Sequence, residues 1–374
     1  MLAPFTNHLP VRIRFGDGVV SELADVLAAE RAERPLLLVD PLVQGVPDVA
    51  ATTVPKLPGE PTFDEVDELA ETLREARADA LVAVGGGSVL DTAKAARLVL
   101  TQGGPYRRFV EGAETIAPPA IPLVAVPTTA GTGSEVSGGA VVTDPHTHRK
   151  TGVASPLMRA QHALVDPVLT HGLPREPTAF TGVDALAQAI AAVVVEVRTP
   201  VGTALGLEAA RLAAAALPLV VADGRDVDAR RQMACASLLA GLAMNVSECG
   251  SEHSLAHPLG ARFGLAHGLT VGLVLAETME HDRHAVPELF DRVADALGAK
   301  PDGSADGSRA VAAVRRLLAQ IEFPTLGAAG VAEAHLDELA DEALAGWIPV
   351  APAAWSRDDV LAAYRRALAL ERRD

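Results

Sequence analysis

At 374 residues the chain exceeds one small core and implies two domains of roughly 150 residues each. A formal net charge of −16 excludes a nucleic-acid polyanion as partner, and two cysteines in so long a chain exclude a disulfide scaffold. Apolar residues make up 49%, but Gly, Pro or charge interrupts the longest apolar runs short of the ~20 residues that span a bilayer, so no membrane partner is expected. The start, MLAPFTNHLPVRIRF, has no basic segment followed by an apolar block. With Cys235 and Cys249 as its two thiols, the expected setting is the reducing cytoplasm.

In the first half, short apolar β-type runs alternate with helical segments. PLLLVD (35–40), ALVAVGGG (80–87) and IPLVAVPTT (121–129) are nearly continuous apolar runs, as suits parallel strands buried on both faces. Between the first two, FDEVDELAETLREARA (63–78) places Val66, Leu69, Leu73 and Ala76 at helical spacing. The alternation predicts an open α/β sheet, in which ligands bind beyond the carboxyl ends of the strands. After about Leu173 the chain turns Ala-rich and helical: TGVDALAQAIAAVV, TALGLEAARLAAAALPLVV, RRQMACASLLAGLAM, GSRAVAAVRRLLAQI and DDVLAAYRRALALE. PDGSADGS (301–308) reads as an exposed loop between such helices. The expected division is an α/β domain with a parallel sheet over 1–173 and an all-helical domain over 174–374. Its boundary falls near GLPREPT (172–178), where two prolines and a glycine break the pattern.

Gly85-Gly86-Gly87-Ser88 stands between a strand and a helix expected to begin near Val89 or Leu90. Backbone without Cβ can approach a diphosphate closely, and free amides at a helix start favour negative charge. This is not the GxGxxG fingerprint, and a purely structural tight turn reads the same way. PTTAGTGSE (127–135) follows another strand and supplies Thr128, Thr129, Thr132 and Ser134, a dense set of hydroxyl donors.

Residues 249–268, CGSEHSLAHPLGARFGLAHG, hold three of the 11 histidines. His253 and His257 are four apart and share one face of a helix; His267 follows a Pro-Leu-Gly interruption and directly precedes Gly268. Upstream, Asp184 and Gln188 are four apart on a second expected helix. Two helices presenting polar pairs on otherwise apolar faces are a way to build a metal site in a helical domain. Ordinary core or surface histidines are the alternative for the pair taken alone.

Together, LVAVGGGSVLDTAKAARL (81–98), PLVAVPTTAGTGSEVSGGAVVTD (122–144) and the histidine segment, in this order, give a chain that resembles the iron-containing (group III) alcohol dehydrogenases, relatives of glycerol dehydrogenase and dehydroquinate synthase. The resemblance runs from RIRFGDG near Arg12 to at least His281. It implies a dinucleotide-binding first domain with Gly85, Gly86, Gly87, Ser88 and Asp91 at the cofactor. Thr128, Thr129, Thr132 and Ser134 would line the nicotinamide and ribose side, and Lys150, one of four lysines, would contact the ribose. Asp40 stands where the family recognises the adenosine ribose. A carboxylate accepts from free ribose hydroxyls and repels a 2′-phosphate, so NAD(H) is expected over NADP(H). A turn aspartate before Pro41 is the alternative.

The resemblance also implies a metal, held in the family by one Asp and three His. Carried over by motif, the positions are Asp184, Gln188, His253 and His267, with glutamine where the family has its first histidine. An amide oxygen ligates Fe²⁺ or Zn²⁺ more weakly than imidazole; two histidines and one carboxylate still suffice for a catalytic Zn²⁺ or an open Fe²⁺ site. A site that has lost its metal and works through hydrogen bonds is the alternative. His257, outside the family's ligand set, is the candidate catalytic residue, for proton relay or for holding the nicotinamide. His146, His148, His281, His284 and His335 are assigned no role.

The implied activity is NAD(P)-dependent interconversion of an alcohol with an aldehyde or ketone, by hydride transfer at a metal-polarised oxygen, in a homo-oligomer, a dimer by resemblance. Two alternatives stand beside it: a reductase of an acidic carbonyl compound of the maleylacetate or phosphonoacetaldehyde type, and a dehydroquinate synthase-like lyase or cyclase. The second of these anchors a phosphorylated substrate with several Lys and Arg residues in the helical domain, where this chain has only one lysine, Lys300. A non-catalytic NAD-binding subunit is a further alternative, disfavoured by the intact loop motifs.

Overall fold

The nearly continuous apolar runs of the first half become the strands of a parallel sheet. In the computed structural model, which describes residues 5–112, 114–147, 150–348 and 350–369, the chain divides into one unit of His8–Gly172 and another that joins residues 5–7 to the chain from Leu173 onward, so the N-terminal residues fall outside the expected 1–173 domain. The first unit contains β1 (Arg12–Phe15), α1 (Leu23–Ala29), β2 (Pro35–Val39), β3 (Thr52–Pro55), α2 (Phe63–Glu75), β4 (Ala80–Gly85), α3 (Gly87–Gln102), α4 (Arg107–Glu111), β5 (Leu123–Pro127), β6 (Gly139–Thr143), β7 (Lys150–Ala154) and β8 (His162–Val165). Six strands pair in parallel in the order β1-β8-β5-β4-β2-β3, and β6 and β7 form a separate antiparallel pair. Every residue of β4 is buried, because helices cover both faces of the sheet. Leu81 and Ala83 join one core with Phe63, Val66, Leu69 and Leu73 of α2, while Val82 and Val84 join Leu23, Val26 and Leu27 of α1 on the other face.

Register aligns the strand ends. Val39 lies opposite Val84, and Gly85 opposite Pro127. The Asp40 amide donates to the Val84 carbonyl at 2.9 Å, and the Thr128 amide to the Gly85 carbonyl at 3.0 Å. Three sequence-distant segments, beginning at Asp40, Gly86 and Thr128, therefore stand side by side at the carboxyl edge of neighbouring strands, where open α/β sheets bind ligands.

The second unit is helical: α5 (Arg175–Val194), α6 (Pro200–Ala222), α7 (Val227–Met244), α8 (Ser251–Phe263), α9 (His267–Asp282), α10 (Pro287–Ala296), α11 (Ser308–Gln320), α12 (Leu336–Ala345) and α13 (Arg357–Ala369). Helix α5 packs against α6, α7 and α9. Glycines permit the approach: a Cβ on Gly206 of α6 would stand 2.6 Å from the Ala189 carbonyl oxygen, and one on Gly268 of α9 would collide with the Phe180 carbonyl. Contrary to the interruption read from the sequence, α5 and α6 are long and apolar enough to cross a bilayer by length and composition. In α5 the apolar side chains are buried among the neighbouring helices, and this position accounts for its composition.

Two boundaries differ from the expected ones. Helix α3 starts at Gly87 with Gly86 as its N-cap, two to three residues before Val89 or Leu90. The Pro-Leu-Gly segment does not interrupt the histidine helix, since α8 continues through Pro258 and ends at Gly264, whose φ of 65° is left-handed. His267 is instead the first residue of α9.

Candidate functional site

At the sheet edge of the first unit, Gly86, Gly87 and Ser88 are partly exposed at the start of α3. None of Gly85, Gly86 and Gly87 has a left-handed φ, so the turn requires glycine for close approach rather than for backbone conformation. A Cβ on Gly85 would collide with Val89, and one on Gly86 would stand 3.1 Å from Thr129 Cγ2. The glycine turn thus carries the threonine-rich loop directly on its backbone. Thr129 and Thr132 are half-buried, Thr128 and Ser134 buried.

Asp91 and Ser134 play a different part from the cofactor contact implied by the family resemblance. Ser134 Oγ donates to Asp91 Oδ1 at 2.6 Å, the Val141 amide donates to Asp91 Oδ2 at 2.9 Å, and Lys94 Nζ lies 3.1 Å from Asp91 Oδ1. Both Asp91 oxygens are engaged inside the protein, and Lys94, itself buried, donates to the Ser134 and Gly139 carbonyls. The trio ties α3 to the loop and to β6. Glu135, beside Ser134, is buried, and burial pushes its carboxyl up to about 7 against its own backbone amide and Lys94. Asp40 is half-buried, and its Oδ1 accepts from the Leu42 amide at 2.9 Å, the turn geometry weighed as the alternative for this residue. Lys150 Nζ pairs with Glu60 Oε1 at 3.0 Å.

In the second unit, one turn of α5 carries Asp184 and Gln188, one turn of α8 carries His253 and His257, and α9 begins at His267. One ligand atom each from Asp184, His253 and His267 lie within 4.8 Å of one another. Asp184 Oδ1 is 3.5 Å from His253 Nε2 and 3.7 Å from His267 Nε2. Gln188 Nε2 donates to Asp184 Oδ2 at 3.0 Å, which turns its amide oxygen away from that carboxylate. The His257 ring centroid is 6.4 Å from that of His253 and 6.2 Å from that of His267.

The donor set fits a divalent cation. Asp184 Oδ1 and Gln188 Oε1 are both buried without a hydrogen-bond partner. Such atoms normally find one, and an orphaned carboxylate oxygen beside two imidazole nitrogens is a donor set that Fe²⁺ or Zn²⁺ accepts. Burial alone would raise the Asp184 carboxyl; His267, His253 and Gln188 outweigh it and hold the group below its ordinary value. Burial alone would lower the His253 imidazole, yet Cys249, Asp184 and Glu252 together raise it well above its ordinary value.

Glu252 is the site residue that sequence reasoning missed. Its Oε1 lies 2.9 Å from His253 Nδ1 and accepts from the Gly250 amide at 3.0 Å. An acid directly before a histidine was the available signal, but adjacent helical residues do not ordinarily face each other. Of the histidines given no role, His281 stacks on Trp355 with ring centroids 4.0 Å apart, and His335 Nδ1 accepts from the Ala332 amide. His148 lies outside the described residues.

Comparison with known proteins identifies the family. The model of the iron-containing alcohol dehydrogenase family matches residues 10–167, and that of the family's C-terminal region matches 178–368. Choline dehydrogenase of Bacillus subtilis is 33% identical over 356 residues, covering 91% of this chain and 89% of its own. NAD-dependent methanol dehydrogenase of Bacillus methanolicus is 33% identical over 351 residues, covering 90% and 92%. The crystal structure of a 1,3-propanediol oxidoreductase superposes with a TM-score of 0.91 at 30% identity, covering 98% of this chain and all of that one. The chain belongs to the iron-containing alcohol dehydrogenase family. It is an NAD(P)-dependent oxidoreductase that interconverts an alcohol with an aldehyde or ketone. The comparisons do not favour the acidic-carbonyl reductase or the dehydroquinate synthase-like lyase.

Proposed function

We propose that this alcohol dehydrogenase uses NAD(H) in preference to NADP(H), acts on a small alcohol or aldehyde, and holds one Fe²⁺ or Zn²⁺ on Asp184, His253 and His267, with Gln188 as a weak fourth ligand. The observation that carries the reading is the orphaned buried oxygen Asp184 Oδ1 beside two imidazole Nε2 atoms, with a second orphaned buried oxygen, Gln188 Oε1, on the side chain that bonds the same carboxylate. A cation bound there would stabilise negative charge on the substrate oxygen as hydride leaves or joins the carbon.

The chain's own residues do the rest. Asp184 and the two histidines fix the position of the substrate hydroxyl. His257, half-buried one helical turn from His253, takes the hydroxyl proton on alcohol oxidation and returns it on carbonyl reduction, since an imidazole can both accept and donate a proton. The amides at the start of α3 receive the diphosphate, Thr129 and Thr132 border the nucleotide, and the Asp40 carboxylate accepts from the adenosine ribose. Family resemblance supports a homodimer. Two free cysteines suit a cytoplasmic setting.

Metal analysis of the purified protein, paired with NADH oxidation against a panel of small aldehydes and keto acids, tests the reading. One equivalent of Fe or Zn and turnover lost in chelator are expected. A metal-free protein fully active in chelator would remove Asp184, His253 and His267 from the ligand set and leave the proton chemistry to side chains such as His257.

A further inference from the structure

We propose that Glu252 is a positioning residue for the metal centre: its carboxylate accepts a hydrogen bond from the Nδ1–H of His253, aims Nε2 at Asp184, and strengthens that imidazole as a donor, offsetting the weak amide oxygen of Gln188. The inference rests on the ligand assignment above.

Three observations carry it. First, His253 is bracketed by carboxylates at both ring nitrogens, with Glu252 Oε1 2.9 Å from Nδ1 and Asp184 Oδ1 3.5 Å from Nε2. A carboxylate on the far nitrogen of a ligating imidazole fixes tautomer and ring orientation and raises basicity. Second, Glu252 is 6% exposed. A buried carboxylate is costly unless paired, and a residue serving only to cap a helix has no need of that burial. Third, the chain makes room for this fold-back. Glu252 lies in the first turn of α8 and reaches back to its N-cap, Gly250, where an added Cβ would collide with Glu252 Oε2. Gly250 has an ordinary φ of −95°, so glycine there serves the carboxylate rather than the backbone.

The physical trade is specific to this chain. Where the family pattern has a third imidazole, Gln188 offers an amide oxygen, a poorer donor to Fe²⁺ or Zn²⁺. Polarising one of the two remaining imidazoles recovers donor strength without a new ligand.

Co²⁺ is the probe, with affinity from chelator competition and geometry from its ligand-field absorption. Glu252→Gln keeps an acceptor for the Gly250 amide and removes only the charge. It should weaken Co²⁺ binding at least tenfold, about 1.4 kcal/mol, and shift the absorption bands, with the thermal midpoint of the metal-free protein unchanged. Gly250→Ala, which keeps the charge but displaces the carboxylate, should weaken binding in the same direction. In a Gln188→His background, which should itself bind Co²⁺ at least tenfold more tightly, the Glu252→Gln loss should shrink to about threefold or less, since the added imidazole removes the need for compensation. A folded Glu252→Gln or Gly250→Ala protein with wild-type affinity and spectrum overturns the proposal and leaves Glu252 a helix cap. An undiminished loss in the Gln188→His background also overturns it, because no offset then exists. His267→Ala separates the two levels: if it retains wild-type Co²⁺ affinity the ligand assignment itself fails, whereas loss of binding there, with Glu252→Gln silent, rejects only the role of Glu252.

Discussion

Gly87 of the glycine turn lies against Thr132 of the threonine-rich loop, so closely that a Cβ on Gly87 would stand 2.9 Å from Thr132 Cγ2. Gly87 and Thr132 lie more than 40 residues apart in sequence and meet because β4 and β5 are hydrogen-bonded neighbours. Glycine therefore has two tasks at this edge: it exposes backbone amides, and it seats the loop proposed to border the nucleotide.

Gly86→Val tests both tasks together. Its side chain would press on Thr129, which already stands 3.1 Å from the ideal Cβ position. NADH affinity, followed by fluorescence titration, should fall at least tenfold, about 1.4 kcal/mol, while metal content stays constant because the ligands lie in the other unit. Unaltered NADH affinity in a folded variant would make the turn structural only.

Asp40→Gly addresses cofactor choice. The Asp40 carboxylate should disfavour a 2′-phosphate, so the ratio of kcat/KM for NADH over NADPH should drop by about tenfold or more once it is gone. Equal use of both cofactors by the unaltered protein would count against the assignment, as would a ratio that the substitution leaves in place.

The close approach of α9 to α5 sets the candidate metal cluster, since Asp184 rides on one helix and His267 starts the other. Gly268→Ala drives a methyl group into the Phe180 carbonyl and must part the helices. Overpacking of this kind costs about 1–3 kcal/mol, readable in urea unfolding, and metal affinity should fall with it. Wild-type affinity for Co²⁺ in this variant would show that the cluster does not depend on the α5–α9 contact.

Glu135 gives a pH dependence in the first unit. Burial raises its carboxyl from 4.5 to about 7, so the native state binds this proton more tightly than the unfolded chain. Its contribution to stability is full below about pH 4.5 and is lost as pH rises through about 7, amounting to about 3 kcal/mol at most. Glu135→Gln, neutral throughout, should be more stable than the unaltered protein at pH 8, by a margin that shrinks towards pH 5. Urea unfolding of both proteins across this range decides the matter, and parallel curves would show that Glu135 is not protonated in the native state.

Much of the site was legible because its signals are local. Asp184 with Gln188 and His253 with His257 share helical faces by spacing alone, and the strand-to-glycine-turn-to-helix order follows from an apolar run ending in residues without side chains. Pro258 misled for a local reason too: a proline inside a helix is disfavoured, yet α8 runs through it. Asp91 and Ser134 look like ligand contacts in sequence, but their polar atoms bond each other and Val141, and no spacing rule relates positions 43 residues apart.

Sequence by itself determined the element types, the α/β-then-helical order and the residue kinds available to a nucleotide and a metal, because periodicity and turn chemistry act over a few residues. Tertiary structure alone decided which of those side chains meet. Parallel register brought Asp40, Gly86 and Thr128 to one edge, glycine-mediated packing of α9 on α5 set His267 beside Asp184, and burial folded Glu252 back onto His253. Each of these depends on long-range contact and on the high cost of leaving a buried polar atom unpaired, which no short stretch of sequence records.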